Sequence, residues 1–170
     1  MVRDFAILAT GPSMSAALAE RVRERGFRAV AVSNAWQLAP WAEAMASGDA
    51  KWWQKNPAAH AFGGRKFSLV DVPGCETLPI ASGSNSSLLA MYAAKFLGAQ
   101  RIFLFGVDMH SRDGAHYFGD HPTPLTNTSD VRFSIMKRQF ERFSGCDVYN
   151  CTVGSDLQCF PHLDPRTVLC

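Results

Sequence analysis

Three groups of residues have types and spacings that could do chemistry. The first is the turn Thr10-Gly11-Pro12-Ser13, which follows a short apolar run and precedes a helical pattern. Gly11 lets backbone approach an oxyanion closely, and Ser13 can cap the helix and donate its hydroxyl. The free N–H groups at the helix start then favour an anion. A plain capped connection would use the same residues. No Gly-Lys-Ser/Thr follows, so this is not a Walker loop, and it lacks the G-x-G-x-x-G spacing of nicotinamide and flavin sites. The second group is Ser82-Gly83-Ser84-Asn85-Ser86, another helix start rich in donors. Two such starts facing one cleft would suit the phosphate and ribose of a nucleotide.

The third group lies in the polar stretch 109–129, where His110, His116 and His121 share one loop with Asp113 and Asp120. Histidines titrating near neutrality serve acid–base or leaving-group roles. Their spacing matches no standard zinc pattern, so no metal site is expected. Asn34, Asp49 and Asp108 complete the set as polar residues at the ends of predicted strands. Each carboxylate could bind hydroxyls, accept a proton or form a turn. Trp36, Trp41, Trp52 and Trp53 cluster around the Asn34 and Asp49 region as core residues, one of which could stack on a base or sugar ring. Cys151 and Cys159 read as packing thiols, with no helix N-terminus to activate them.

The elements that position these groups alternate between strand and helix. Residues 5–9 form an apolar run suited to a strand buried on both faces, and 14–25 carry helical spacing closed by Gly26. Residues 28–33 give a second strand, so the chain opens with a β-α-β unit. The stretch 38–46 predicts a helix, 48–53 a short strand or turn, and 66–72 a strand stopped by Pro73-Gly74. A helix apolar on nearly every face runs to Leu97 and feeds a central strand over 101–107 that ends at Asp108. The polar loop, a helix over 130–143, a strand over 147–151 and an irregular tail complete the chain. The fold expected is α/β, a three-layer α/β/α sandwich with a Rossmann-like, mostly parallel sheet. Residues 1–170 make one nucleotide-binding domain with a lid-like loop at about 109–129. In such sheets ligands collect at the carboxyl ends of strands, where nearly every polar residue named above lies.

The bulk numbers exclude several classes. A chain of 170 residues with 47% hydrophobic and 19% charged residues is ordinary globular material. A net charge of +2 gives no support for tight duplex binding, so nucleic acid enters only as an acceptor. Five cysteines without a C-x-x-C pair, no leader pattern and no run of membrane-spanning length lead to the expectation of a cytoplasmic protein with free thiols.

Several stretches carry a resemblance. They are 7–13 (Ile-Leu-Ala-Thr-Gly-Pro-Ser), Val32-Ser33-Asn34, Ala81-Ser82-Gly83 with its apolar helix, and 97–108 ending in Gly106-Val107-Asp108. In this order and spacing the chain resembles the bacterial sialyltransferases that use CMP-sialic acid, and the superfamily that also holds the 6-hydroxymethylpterin pyrophosphokinases. The resemblance implies that Gly11, Ser13 and Asn34 hold a cytidine nucleotide, with Ser82 and Gly83 lining the same site. Asp49 falls where the family has a second Asn. His110 and His116 fall at the positions of two tyrosines that contact the departing phosphate. Where the family has its catalytic-base His, this chain has Leu125-Thr126-Asn127-Thr128, leaving His121 as the nearest candidate. The segment 114–122 and the ending 150–155 also resemble small proteins of phages and prophages, which would place the chain in a host cytoplasm.

Together these readings lead to a nucleotide-dependent, glycosyltransferase-like transferase with a nucleotide-sugar donor and no required cofactor. Thr10, Gly11, Pro12, Ser13, Asn34, Asp49, Ser82, Gly83 and Ser84 would bind the nucleotide. His110 and His116 would stabilise the departing phosphate, and His121 or Asp108 would take the acceptor's proton. A homo-oligomer is expected, because active-site loops in so small a chain are often completed by a neighbouring subunit. The alternatives are a pterin or modified-base pyrophosphokinase using ATP and magnesium held by Asp49, Asp108 and Asp120, or a non-catalytic nucleotide-binding protein.

Overall fold

The computed structural model describes residues 3–81 and 83–170, with Ser82 and the first two residues outside it. A seven-stranded sheet in the order β5-β4-β3-β2-β1-β6-β7 forms the middle layer, and every adjacent pair in it is parallel. Its strands are β1 (Asp4–Leu8), β2 (Arg28–Val32), β3 (Ala44–Ala46), β4 (Arg65–Ser68), β5 (Glu76–Thr77), β6 (Arg101–Phe105) and β7 (Asp147–Asn150). Three adjacent strands carry the pattern expected of strands covered on both sides, with four consecutive buried residues in each of β2, β1 and β6.

Alternate residues of β1 divide the core. Phe5 and Ile7 pack on one face with α3 (Ser86–Phe96) and α4 (Asp130–Phe140), while Ala6 and Leu8 pack on the other with α1 (Ala16–Glu24) and α2 (Ala50–Lys55). The chain steps from β1 outward to β5 with its helices on the second face. It then crosses back over α3 to β6 and β7 with helices on the first. Opposite directions of travel on opposite faces are what crossovers of a single hand require. The result is the three-layer α/β sandwich read from the sequence. Among the described residues no helix is long and apolar enough to cross a membrane.

Several elements differ from expectation. Residues 38–46 are not a helix: a 3-10 helix (Ser33–Gln37) ends in a turn, and Ala44–Ala46 is strand β3, fully buried between β2 and β4. Alanine favours helix locally, but pairing in the sheet interior overrides that preference. The stretch over 48–53 is not a strand; it enters α2, with Asp49 as N-cap accepting from the Lys51 N–H at 2.8 Å. The two-residue edge strand β5 gave no sequence signal, and the tail holds a short helix, α5 (Pro165–Val168). Trp52 and Trp53 are core, as read, whereas Trp36 and Trp41 are only partly buried. Cys151 packs as expected, its thiol pushed up to about 12 by burial, but Cys159 is exposed. Among the described residues all five cysteines are free.

Candidate functional site

Because β1 and β6 are neighbours while the chain runs away from them in opposite directions, their carboxyl ends form the sheet's switch point. The pairing continues beyond the strands: Ala9 N–H donates to Phe105 O at 2.8 Å and Gly11 N–H to Gly106 O at 2.9 Å. A Cβ on Gly11 would sit 1.9 Å from Asp108 Oδ2 and 2.5 Å from Gly106 O. Gly11 is thus required for the two post-strand loops to meet, a packing role that exists without any ligand.

Ser13 differs from its expected role as well. Ser15 is the N-cap of α1, accepting from Leu18 N–H, and Ser13 turns to the other loop. Its hydroxyl donates to Asp108 Oδ2 at 2.7 Å and its N–H to Oδ1 at 3.3 Å. Asp108 is 3% exposed. Burial raises its carboxyl above the ordinary range, against the lowering effect of the Ser13 bonds and of nearby His110. Pro12 and Ser13 shape the turn from outside the cleft, while Thr10, Gly11 and Asp108 line it.

The cleft over this switch point encloses about 340 Å³. Its floor is Thr10, Gly11 and Gly106; Asn34, Asp49 and Trp52 stand on one side, and the loop over 109–129 covers it through Ala115, His116, His121 and Leu125. The loop is fastened by Tyr117, whose N–H donates to Thr10 O at 3.0 Å and whose hydroxyl donates to Asn34 O at 2.8 Å. Asn34 Oδ1 is occupied by the Trp52 indole N–H at 2.7 Å, which leaves the Nδ2 end of that amide for a guest. Ser33 and Met109, both lining the cleft, hold φ at 44° and 58°, the left-handed region that non-glycine residues enter at a cost of roughly 1–3 kcal/mol.

The three histidines are brought together on this wall. His116 lies 3.2 Å from Thr10 Oγ1 through Nδ1, stacks on Phe118 with ring centroids 4.8 Å apart, and meets His121 at 4.6 Å. Burial first, and the charge of His121 second, push His116 down to about 4, so it is neutral at physiological pH. His121 is lowered too, by burial, with Asp49 opposing. His110 is 5% exposed, and its Nε2 faces Gly154 O at 3.1 Å. A carbonyl only accepts, so that nitrogen carries the hydrogen. His110 Nδ1 and His116 Nε2 are both buried without a hydrogen-bond partner among the described residues. Buried nitrogens of this kind are rare unless a ligand or water completes them.

Ser82 lies outside the described residues. Gly83 and Ser84, expected in the same site, are not in the cleft. Asn85 is the cap of α3, accepting from Leu88 N–H, and Ser84 Oγ turns back to donate to Ala81 O. The next residues, Ser86 and Ser87, reach the cleft instead. Ser33, Ser47 and Lys51 line it too. Ser33 follows β2 directly and was open to a strand-end reading; Ser47 follows β3, which was read as helix. Asp120, one of the carboxylates considered for magnesium, accepts from Asn127 Nδ2 and is not among the lining residues. Among the described residues no three His, Cys, Asp or Glu side chains gather as a metal-ligand set. A scan against protein-family models finds no match, and searches of curated proteins and of solved structures return none. The reading of the cleft therefore rests on its own geometry.

Proposed function

We propose that the switch-point cleft binds a nucleotide, and that the protein is a nucleotide-dependent, glycosyltransferase-like transferase taking a nucleotide-sugar donor. One observation carries this reading: the cleft at the sheet's switch point, where open parallel sheets seat ligands, is lined by two buried histidine nitrogens without partners, and one of those rings, His116, lies against Thr10. The nucleoside lies along Asn34 and Trp52, with the amide Nδ2 directed to the base or ribose. The phosphate meets Thr10 and His116. With Nδ1 accepting from the Thr10 hydroxyl, His116 presents Nε2–H as a neutral donor, whose bond to the leaving oxygen strengthens as charge develops there. With its Nε2–H committed to the Gly154 carbonyl, His110 turns its Nδ1 lone pair to the same cleft as an acceptor for a hydroxyl of the guest.

Of the groups named for the acceptor's proton, Asp108 has both oxygens engaged by Ser13, and His121 is packed against His116 and Phe118. The test is a thermal-shift screen of CMP, CDP, UDP, GDP, ADP, ATP and common nucleotide sugars, each with and without magnesium. A ligand at 100 times its dissociation constant stabilises by about 2.7 kcal/mol. A metal-independent shift with a cytidine nucleotide, lost in Asn34→Ala, is the expected result. A shift with ATP and magnesium alone moves the reading to a pyrophosphokinase, and silence from every nucleotide ends it.

A further inference from the structure

At about 340 Å³ the cleft stands near the bottom of the range for small-molecule sites, with room for one ligand of nucleotide size rather than two. A transfer between two substrates needs a second seat open to the first. Beside the cleft lies a bay of about 410 Å³, between Leu69 and Val70 after β4, the start of α3 and the first turns of α4. Asp49, Ser86, Thr128 and Met136 line both spaces and form the boundary between them.

The bay's chemistry differs from the cleft's. Its cationic side chain is Arg132, whose guanidinium reaches the Gly83 carbonyl at 3.4 Å and pairs with no carboxylate among the described residues. A guanidinium fork matches a carboxylate or phosphate. On the shared boundary Asp49 is the titratable group. Its Oδ1 accepts from Lys51 N–H at 2.8 Å as the cap of α2, and its Oδ2 has no hydrogen bond among the described residues.

We infer that the bay seats the second substrate, a small hydroxyl-bearing acceptor whose oxyanion is held by Arg132, and that Asp49 takes the proton of the attacking hydroxyl. This rests on the transferase reading of the adjoining cleft. In the step, the acceptor O–H proton passes to Asp49 Oδ2 while the acceptor oxygen bonds to the anomeric carbon of the donor sugar. The bond from that carbon to the nucleotide phosphate oxygen breaks, and its electron pair leaves with the phosphate towards His116.

The test titrates the ¹⁵N-labelled full chain with methyl glucuronide against methyl glucoside, and with glucose 6-phosphate against glucose, with and without saturating nucleotide, and reads transfer from the sugar conjugate of the nucleotide that binds the cleft. The two pairs separate a carboxylate from a phosphate preference. At least one anionic member binds 10-fold or more tighter than its neutral partner, shifting the amides of Ser84, Thr128 and Arg132, and Arg132→Gln abolishes the preference. Asp49→Asn keeps the helix cap, and with it the melting temperature, yet lowers transfer to the bound anionic acceptor at least 100-fold. Equal affinity for charged and neutral members, indifference to Arg132→Gln, or no binding at 10 mM overturns the bay. Transfer at the wild-type rate in Asp49→Asn, or no transfer to any anionic probe that binds, overturns the base. A nucleotide that fails to bind the cleft overturns the earlier reading instead, and the anion preference measured without nucleotide tells the two failures apart.

Discussion

Replacing Gly11 by alanine tests whether this glycine is required by packing between β1 and β6. The added Cβ meets Asp108 Oδ2 at 1.9 Å and Gly106 O at 2.5 Å. Asp108 could turn aside only by releasing the Ser13 hydroxyl at 2.7 Å, and the Gly106 carbonyl is backbone held by the Gly11 N–H at 2.9 Å. Overpacking of this kind costs about 1–3 kcal/mol, and loss of one hydrogen bond adds about 1 kcal/mol. Gly11→Ala should therefore destabilise by about 2–4 kcal/mol. In a chain this size that lowers the melting temperature by roughly 4 to 16 °C. The assay is urea unfolding at pH 7 followed by tryptophan fluorescence, reading the midpoint at unchanged slope. Gly26→Ala is the control: nothing lies within 4 Å of its Cβ, but its φ is +81°, so its loss of about 1–2 kcal/mol is purely conformational. A Gly11→Ala protein within about 0.5 kcal/mol of wild type would refute the packing role.

Other expectations follow from the same loops. Ser13→Ala leaves a buried carboxylate without its hydroxyl donor, for a loss of about 1–3 kcal/mol; Ser15→Ala removes only a helix cap, for about 1 kcal/mol, and should leave nucleotide affinity unchanged by calorimetry. Asp108 has a folded pKa raised by burial, so the native state binds more protons than the unfolded chain above the unfolded value of about 3.9. Its contribution is most favourable in acid and is lost as pH rises through the folded value. Urea midpoints of wild type relative to Asp108→Asn should fall across that window and then level off. His116 behaves oppositely: with its pKa lowered from 6.5 to about 4, stability falls as pH drops through that interval, and His116→Gln should flatten the decline. Asn34→Ala strips the Trp52 indole of its acceptor and should loosen the fluorescence of that tryptophan as well as nucleotide binding.

The central β-α-β unit and the run into β6 were legible because buried parallel strands are continuous apolar runs and their helices keep a clear period. Strand β3 was not: Ala44, Met45 and Ala46 have helical propensity, and only their place between β2 and β4 makes them a strand. Asp108, Asn34 and the histidine loop could be placed at the site by the strand-end rule. That rule could not say that Ser13 would turn to Asp108 while Ser15 capped α1, since two serines two residues apart are equivalent until the helix's first turn is fixed. The Ser82–Ser86 segment shows the same limit. Asn85 took the cap, which set Ser86 and Ser87 towards the cleft and Ser84 away from it. The bay with Arg132 had no sequence signal, because it joins residues from β4, α3 and α4 that only the crossover brings together.

Isothermal titration of CMP into the full chain at pH 7.5 without divalent cations, repeated with UMP, GMP and AMP and with His116→Ala, addresses nucleotide binding most directly. One site per chain for at least one nucleotide, weakened 10-fold or more by His116→Ala, is the expected result. No heat and no saturation with any of the four would contradict the assignment of the switch-point cleft as a nucleotide site.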